Sequence, residues 1–344
     1  MEFCWALPVV PTDQYHELYR AYTDQALRAE KNNFDGVLVS STPTSVDPFI
    51  ASTKIGLETT SIRILLAQNT NHCLPTYTAK ALNTLNQMIK HRADVNVITG
   101  SSSIALSREA QADPHSTRYQ RTKEFMEIIQ LLRKGTTSYK GEFFHISNCD
   151  IYPKENVEKR GRYFVAGSSE EAMTIAAHFG DVYILYACEF DLILKHYNKV
   201  KQMASEKGRS ISCGVLVDII ARQTSEEAWN AANELLENTS PITKRITRAF
   251  LKTSDSVGLG RYKDLTAENN YMIGENLWGG LSQVNPSNSI SIVGSYEEVV
   301  ETLKKYHEAG AEFFLLTSLL HDNEIERIGQ HIIPQLKKAK VSIN

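Results

Sequence analysis

The chain has 344 residues, of which 42% are hydrophobic and 22% are charged, and its formal net charge is −3. This balance is typical of a globular protein with a large core, and it gives no reason to expect disorder. Because the pI is near 6.4, a general electrostatic attraction for nucleic acid or anionic membranes is excluded. Small molecules or other proteins are therefore the expected partners.

No apolar run is long enough to cross a bilayer, and the N-terminus lacks a basic stretch followed by an apolar one. We therefore expect a cytoplasmic protein. The five cysteines are scattered, with no CxxC pair and no cluster with histidines. Neither a disulfide framework nor a metal site is predicted.

Short apolar runs recur along the chain, and segments with helical spacing lie between them. Eight runs are predicted as strands: Phe3–Val10, Gly36–Ser40, Ile62–Thr70, Asp94–Gly100, Arg162–Gly167, Val182–Ala187, Ile211–Arg222 and Phe313–Ser318. Apolar residues three and four apart predict helices over Glu124–Leu132, Ala172–His178, Leu192–Met203, Glu226–Leu236 and Val299–Tyr306. Apolar strands alternating with helices indicate a parallel sheet covered by helices. Eight units favour a closed (β/α)8 TIM barrel, and an open doubly wound sheet is the alternative.

Two segments interrupt this alternation. Thr136–Ile146 has β-prone ends around Gly141 and predicts a small hairpin or ribbon. Residues 238–291 contain five glycines and Pro286 over a long stretch, which predicts an insertion before the last strand. A long insertion in a compact barrel commonly serves as an active-site lid. We expect one domain over residues 1–344, with this lid segment inside it.

One strand end has the composition of a phosphate site. Residues 164–167 are a short apolar run ending in Gly167, followed by Ser168, Ser169 and a predicted helix. The free N–H groups at a helix start and the helix dipole favour an anion, and glycine permits close approach. The alternative is an ordinary serine N-cap with no ligand. By itself the motif favours the N-cap, and its position late in a β/α series adds weight to the phosphate.

Five segments of the chain resemble the alkanesulfonate monooxygenase branch of the bacterial luciferase-like superfamily of flavin-dependent monooxygenases. Their order and spacing extend through nearly the whole chain. The segments are Asn96–Ser101, His115–Tyr119, Gly167–Ser169, Asp255–Gly258 and Asn276–Gly280. No single segment is decisive, but the combination is specific.

The resemblance implies a TIM barrel with an insertion, reduced FMN delivered by a separate NAD(P)H:FMN reductase, and a flavin peroxide that oxygenates the substrate. It also implies a homo-oligomer, a dimer or a tetramer. Tyr119, Ser168 and Ser169, with Gly167, would hold the FMN phosphate, and Thr99 and Gly100 would lie along the flavin. The alternatives are a surface aromatic at Tyr119 and an ordinary strand end at Thr99.

A flavin peroxide must be protected from water, and a closing lid would do this. In the insertion, Arg261 is a candidate cation of such a lid and Trp278 a candidate apolar wall. For Arg261, an ordinary solvated surface charge is the favoured alternative.

The polar cluster on which the sulfonate enzymes depend is largely replaced in this chain. The corresponding positions hold Ser45 for a cysteine, Leu216 and Asn285 for arginines, Asp218 for a histidine and Leu319 for a tyrosine, while His321 is retained. Because a buried sulfonate needs cations or several strong donors, these replacements disfavour it. We expect a neutral or cationic substrate, such as an amine, a ketone, an aldehyde or a carrier-bound biosynthetic intermediate.

Asp218 stands out because it is a carboxylate on an otherwise apolar strand. It is a candidate general base or partner of a cationic substrate, with His321 as a proton donor or acceptor. The alternative turns Asp218 outward to a helix dipole or a lysine. His72, just after the third strand, is a candidate to polarise a flavin carbonyl, and a loop histidine with local partners is the alternative.

Three functions compete. The first is a two-component FMN-dependent monooxygenase. The second is a deazaflavin (F420)-dependent oxidoreductase of the same superfamily, which would share the barrel and the phosphate corner. The third is a flavin-binding protein without activity, since replacement of reactive residues is also what an inactive enzyme shows. The segments of the sulfonate branch favour FMN, and the polar residues at strand ends favour an active enzyme.

Overall fold

The computed structural model describes residues 1–8, 15–100, 103–260, 270–285, 290–320 and 323–338. Eight parallel strands form a closed barrel, which confirms the (β/α)8 prediction. The barrel strands, numbered in chain order with all other strands, are β1 (Glu2–Ala6), β2 (Gly36–Val39), β3 (Arg63–Asn69), β4 (Ala93–Ile98), β7 (Tyr163–Ala166), β8 (Val182–Tyr186), β9 (Ser212–Arg222) and β13 (Phe313–Thr317). β9 closes the cylinder by pairing with both β8 and β13.

Helices surround the barrel and connect its strands. They are α1 (Tyr15–Lys31), α2 (Pro48–Glu58), α3 (Pro75–Met88), α4 (Ser103–Arg108), α5 (His115–Lys134), α6 (Glu170–Phe179), α7 (Phe190–Ser205), α8 (Ser225–Asn238), α9 (Pro241–Thr253), α10 (Val257–Gly260), α11 (Tyr296–Glu308), α12 (Glu324–Arg327) and α13 (Ile333–Lys338). The five helices predicted from apolar spacing lie within α5, α6, α7, α8 and α11. In the part of the chain that the structure describes, no helix is long and apolar enough to cross a membrane.

Every second residue of the barrel strands points into the barrel, and apolar side chains fill its interior. The apolar cluster there contains Cys4, Leu38, Leu65, Phe164, Val182, Ile184, Phe313 and Leu315. Beyond it, at the N-terminal ends of the strands, Arg63 and Arg162 both bond to Asp94, and Arg162 also pairs with Glu2. The Asp94 side chain is 2% exposed, so the two guanidinium groups supply the positive charge that its burial requires. The opposite end, where the strands terminate, is the expected place for a ligand.

β9 is a long strand with two sets of partners. Its first part lies in the barrel, and residues 218–222 continue beyond it to pair with β12 (Ser291–Ser295). β12 pairs with β11 (Leu277–Trp278), which forms a hairpin with β10 (Met272–Gly274). The predicted insertion, residues 238–291, therefore contains more regular structure than its glycine content indicated, including α9, α10 and a 3-10 turn at Gly280–Gln283.

The predicted ribbon after α5 is present. β5 (Thr137–Lys140) and β6 (His145–Cys149) pair antiparallel in a separate two-stranded sheet. The carboxylate of Glu124 on α5 accepts hydrogen bonds from the backbone N–H groups of Glu142, Phe143 and Phe144 in the turn. These bonds fix the ribbon to the outside of the barrel.

Candidate active site

The C-terminal ends of β3, β4 and β7 lie side by side at one mouth of the barrel, and polar residues occur at each of them. Asn69 ends β3, Thr99 follows β4 and Ser168 follows soon after β7. All three residues are less than one-tenth exposed. Because the loops at this end of a TIM barrel form its active site, the candidate site lies here.

The Gly-Ser-Ser sequence after β7 forms the corner that was predicted to hold a phosphate. Ser169 is the N-cap of α6, and its hydroxyl accepts a hydrogen bond from the backbone N–H of Ala172 at 3.1 Å. Gly167 has a φ of +133°, and a Cβ there would lie 2.9 Å from the Cβ of Ala172 and 3.4 Å from the Tyr119 hydroxyl oxygen. Glycine therefore permits both the backbone conformation and the close approach of Ala172, while a Cβ would make only an ordinary contact with Tyr119.

Tyr119, on α5, joins this corner to the end of β4. Burial raises the pKa of its phenol, and hydrogen bonds with the side chains of Thr99 and Ser169 lower it in part. The hydroxyl is therefore protonated at neutral pH and able to donate to an anion. Gly100 turns the chain directly after Thr99, with a φ of +79°. The structure thus brings together the residues that the resemblance assigned to the cofactor.

The corner offers hydrogen-bond donors rather than net positive charge. The first turn of α6 carries Glu170 and Glu171. Glu170 pairs with Lys199, and Glu171 lies 3.9 Å from the His115 imidazole. A bound phosphate would therefore depend on hydroxyl groups and on the N–H groups and dipole of the helix start.

The insertion reaches the same corner through α10. A Cβ added at Gly258 would lie 3.2 Å from the Oγ of Ser168 and 3.1 Å from the Cδ2 of Tyr186. Tyr186 ends β8 with its ring packed against the apolar core. A residue of the insertion therefore lies in direct contact with the serine that was predicted to bind phosphate.

Arg118 was not predicted as a site residue, although it lies within a segment that carried the family resemblance. Its side chain is 2% exposed and pairs with Asp255 of the insertion at 2.7 Å. The same guanidinium donates to the backbone carbonyls of Thr99 at 3.1 Å, Gly100 at 3.3 Å and Asp113 at 2.8 Å. One buried cation therefore contacts both the chain after β4 and the insertion.

His72 lies in the loop after β3 and has local partners. Its Nε2 is 3.3 Å from the side-chain nitrogen of Asn69 and 3.5 Å from a carboxylate oxygen of Glu109. Asn71 in the same loop donates to the backbone carbonyl of Thr99 at 3.2 Å. These contacts are those of the alternative considered from the sequence, a loop histidine held by its neighbours, and they place His72 at the mouth.

Asp218 is 1% exposed, and it occupies the same side of β9 as Leu216, which packs against the cluster inside the barrel. Its carboxylate accepts from the Ser291 hydroxyl at 3.0 Å and from the backbone N–H of Leu319 at 3.1 Å. Burial raises the pKa of Asp218 well above its ordinary value, and these two hydrogen bonds lower it only in part. The outward orientation considered from the sequence is therefore not adopted. Asp218 instead fixes the loop that follows β13.

The remaining predicted residues lie in different surroundings. The Ser45 hydroxyl bonds within its own turn, to the backbone of Thr42 and Val46. Trp278 is 2% exposed and packs edge-on against Trp229 of α8, with ring centroids 6.3 Å apart, so it belongs to a core and not to an open wall. Asn285 is half-buried next to the 3-10 turn. Arg261 and His321 lie outside the described residues.

Asn96 was not predicted as a site residue, but its position bears on whether the site can hold a flavin. Asn96 pairs with Phe164 of β7, a residue of the apolar cluster inside the barrel, so its side chain has the same inward orientation. Its amide oxygen has no hydrogen-bond partner within the described ranges, although the residue is 8% exposed. An unpaired buried acceptor is costly unless a ligand or water donates to it. A ring N–H of a flavin could donate to this amide oxygen, and the phosphate oxygens of a flavin nucleotide could accept from the hydroxyl groups of the corner.

Solved structures with the same fold include several enzymes. A riboflavin lyase, RcaE, determined with modified FMN and riboflavin, has a TM-score of 0.81 and 18% identity over 99% of this chain and 92% of that chain. EDTA monooxygenase EmoA from Chelativorans sp. BNC1 has a TM-score of 0.80 and 15% identity over 99% and 94%. An F420-dependent secondary alcohol dehydrogenase has a TM-score of 0.74 and 16% identity over 97% and 98%. At these identities the likeness concerns the fold.

The sequence itself provides the assignment. Residues 1–312 match the model of the family described as luciferase-like monooxygenase, so the match includes β1 to α11 and every segment on which the resemblance was based. Together with the closed barrel and the corner at its mouth, this match shows that the chain belongs to the luciferase-like monooxygenase family.

Proposed function

We propose that this chain is an FMN-dependent monooxygenase that receives reduced flavin from a separate reductase and oxidises an organic substrate other than a sulfonate. The observation that carries the proposal is the meeting of Thr99, Tyr119 and the Gly167–Ser169 loop at a helix start in the barrel mouth. The RcaE structure, which has the same fold, contains a modified FMN. Reduced FMN, when bound, supplies the electrons and the reaction with molecular oxygen.

The residues of the corner would hold the phosphate of the cofactor. The Tyr119 phenol, protonated because burial raises its pKa, would donate one hydrogen bond. The hydroxyls of Ser168 and Ser169 and the first N–H groups of α6 would donate others. Thr99 and Gly100 would lie along the flavin, with the unpaired amide oxygen of Asn96 as an acceptor for a ring N–H.

The insertion would exclude water from this corner. Its helix α10 already contacts Ser168 through Gly258, and Trp278 secures the insertion by packing in a core with α8. We retain Arg261 as a candidate cation of this lid. Exclusion of water strengthens the hydrogen bonds inside the site and keeps reactive species from hydrolysis.

The substrate would be neutral or cationic. Leu216 and Asn285 replace the arginines expected in a sulfonate site, and Asp218 adds a carboxyl group to that region. The contacts of Asp218 favour a role in positioning the loop after β13, next to His321 in the sequence. His72 and His321 are the candidates for proton transfer, because each is a histidine that follows shortly after a barrel strand in the sequence, His72 after β3 and His321 after β13.

The proposal is tested by titrating the protein with oxidised and with reduced FMN, and with F420, while following flavin fluorescence or absorbance. We expect FMN to bind and Tyr119→Phe to weaken binding about tenfold, the effect of losing one charge-assisted hydrogen bond. Tyr77→Phe, at a tyrosine that is 58% exposed on α3, is the matched control and should leave FMN affinity unchanged.

Incubation with FMN, a reductase, labelled oxygen and candidate amines, ketones and aldehydes would then be analysed by mass spectrometry. Incorporation of one labelled oxygen atom into a product is the expected result. Binding of F420 in place of FMN would contradict the proposal in favour of a deazaflavin-dependent oxidoreductase. FMN binding that shows the same affinity in the Tyr119 variant would contradict the assignment of the corner.

A further inference from the structure

The guanidinium of Arg118 has an unusual set of partners for a buried cation. Three of its hydrogen bonds go to backbone carbonyls, those of Thr99, Gly100 and Asp113, which carry no net charge. Its carboxylate partner is Asp255, 137 residues away in the sequence, at 2.7 Å. A cation that is 2% exposed needs a counter-charge to be stable in the folded protein, and Asp255 supplies it.

The position of Asp255 gives this pair a consequence for the site. Asp255 lies between α9 and α10, the two helices of the insertion, and α10 begins two residues later. Gly258 of α10 is the residue that contacts Ser168 and Tyr186. The ion pair therefore holds the part of the insertion that covers the phosphate corner.

The other side of the guanidinium is bonded to the corner itself. Its contacts with the carbonyls of Thr99 and Gly100 hold the chain after β4, and the side chain of Thr99 lies beside the Tyr119 hydroxyl. Because Arg118 directly precedes Tyr119 on α5, a shift of either residue displaces the other. A single side chain thus links the covering helix to the residues beneath it.

We propose that Arg118 is a positioning residue that fastens the insertion over the cofactor corner through Asp255, so that closure of the insertion and flavin binding are coupled. Coupling between two such events is reciprocal. A bound flavin stabilises the fastened insertion, and loss of the fastening weakens flavin binding. The second consequence rests on the proposed function, whereas the fastening itself does not.

Hydrogen exchange measured by mass spectrometry on the full chain without flavin tests the fastening. In Asp255→Asn we expect the amides of residues 241–260 to exchange about tenfold faster than in the wild type, because the buried guanidinium loses its counter-charge. Exchange in β1 to β4 should be unchanged, which separates local opening from global unfolding. Asp113→Asn is the matched control, since Asp113 pairs with Arg121 on the same helix at 2.7 Å with 35% exposure, against 36% for Asp255.

A second variant, Arg118→Lys, keeps the charge but loses the forked geometry, and it should also accelerate exchange over residues 241–260. In the double variant R118K/D255N the acceleration should be less than the product of the two single effects. Equal exchange in D255N and wild type, acceleration that also appears in D113N, or multiplicative effects in the double variant would each overturn the proposal.

FMN titration of the same proteins tests the coupling. We expect D255N to bind FMN about tenfold more weakly than wild type, and saturating FMN to slow exchange over residues 241–260 in the wild type. Wild-type protein that binds no FMN would refute the proposed function and leave the exchange result valid. If D255N shows accelerated exchange but binds FMN with the same affinity as the wild type, the coupling is refuted and the fastening stands.

Discussion

Gly258→Ala is the sharpest probe of the contact between the insertion and the phosphate corner. The added Cβ would lie 3.1 Å from the Cδ2 of Tyr186 and 3.2 Å from the Oγ of Ser168. Ordinary van der Waals contacts of a Cβ begin near 3.4 Å, so one of the three groups must move by a few tenths of an ångström. Tyr186 ends a barrel strand and is held by its packing, so α10 or the Ser168 side chain must give way.

Two opposite effects act on the stability of this variant. Overpacking of a well-filled site costs about 1–3 kcal/mol. Alanine in place of glycine favours a helix by up to about 1 kcal/mol. The net destabilisation should therefore be small, about 0–2 kcal/mol. Ligand binding has no such compensation, because a displaced Ser168 hydroxyl loses a hydrogen bond to an anion worth about 1.5 kcal/mol, or about tenfold in affinity.

FMN titration and thermal melting of Gly258→Ala and Gly260→Ala provide the measurement. Gly260 lies on the same short helix, and a Cβ there meets no atom of the residues that the structure describes within 4 Å, so it reproduces the change in helix propensity without the contact. We expect Gly260→Ala to bind FMN as the wild type does and Gly258→Ala to bind about tenfold more weakly. Equal affinities for the two variants would refute the reasoning, because the contact with Ser168 would then have no bearing on the ligand.

Two further predictions concern pH. Burial raises the pKa of Asp218, so the folded state holds this proton more tightly than the unfolded state, and stability falls as pH rises above about 4 toward the folded pKa. In urea unfolding, Asp218→Asn should therefore gain on the order of 1 kcal/mol relative to wild type between pH 4 and pH 8, and a constant difference would contradict this. For Glu30, burial raises the pKa, but hydrogen bonds from residues 60–62 outweigh it and lower the pKa to about 2. The stabilisation is present above the ordinary value of 4.5 and is lost as pH falls toward 2. Glu30→Gln should remove this acid dependence, about 1 kcal/mol after solvent screening, from an unfolding titration followed by circular dichroism, whereas the same acid dependence in both proteins would count against it.

The barrel was predictable because its strands are continuous apolar runs. The run Ile62–Thr70 became β3, Arg63–Asn69, and the run Val182–Ala187 became β8, Val182–Tyr186. A strand buried on both faces leaves this signal in the sequence without reference to its neighbours. The helices between the strands leave an equally local signal in the spacing of their apolar residues.

The sequence predicted an insertion over residues 238–291 but not the regular structure within those residues. β12 is only five residues long, and it is a strand because the end of β9 continues beyond the barrel to pair with it. This pairing joins Asp218 to Ser291, across 73 residues. The glycines of the insertion are a local signal for turns. The strands of the insertion could not be predicted, because they depend on partners that lie far away in the sequence.

The site residues likewise fall into those with a local sequence signal and those whose contacts come from distant parts of the chain. Gly167, Ser168 and Ser169 are adjacent in the chain, so a candidate phosphate site could be predicted from the sequence, and Tyr119 was added through a family motif. Arg118, next to Tyr119, had no local sign of importance, because its role comes from Asp255 and from the carbonyls after β4.

Asp218 shows how a correct sequence observation can lead to more than one role. A carboxyl group on an apolar strand indicated a functional residue, and the residue is indeed buried on the inner side of β9. Its two oxygens, however, each accept a hydrogen bond, one from Ser291 and one from the backbone of Leu319, so the protein holds both in place. A general base must also lie within hydrogen-bond reach of the substrate, whereas the observed contacts of Asp218 are structural ones. A carboxyl group used in this way holds the loop after β13 at Leu319, and its replacement should therefore alter the orientation of that residue before it alters any proton transfer.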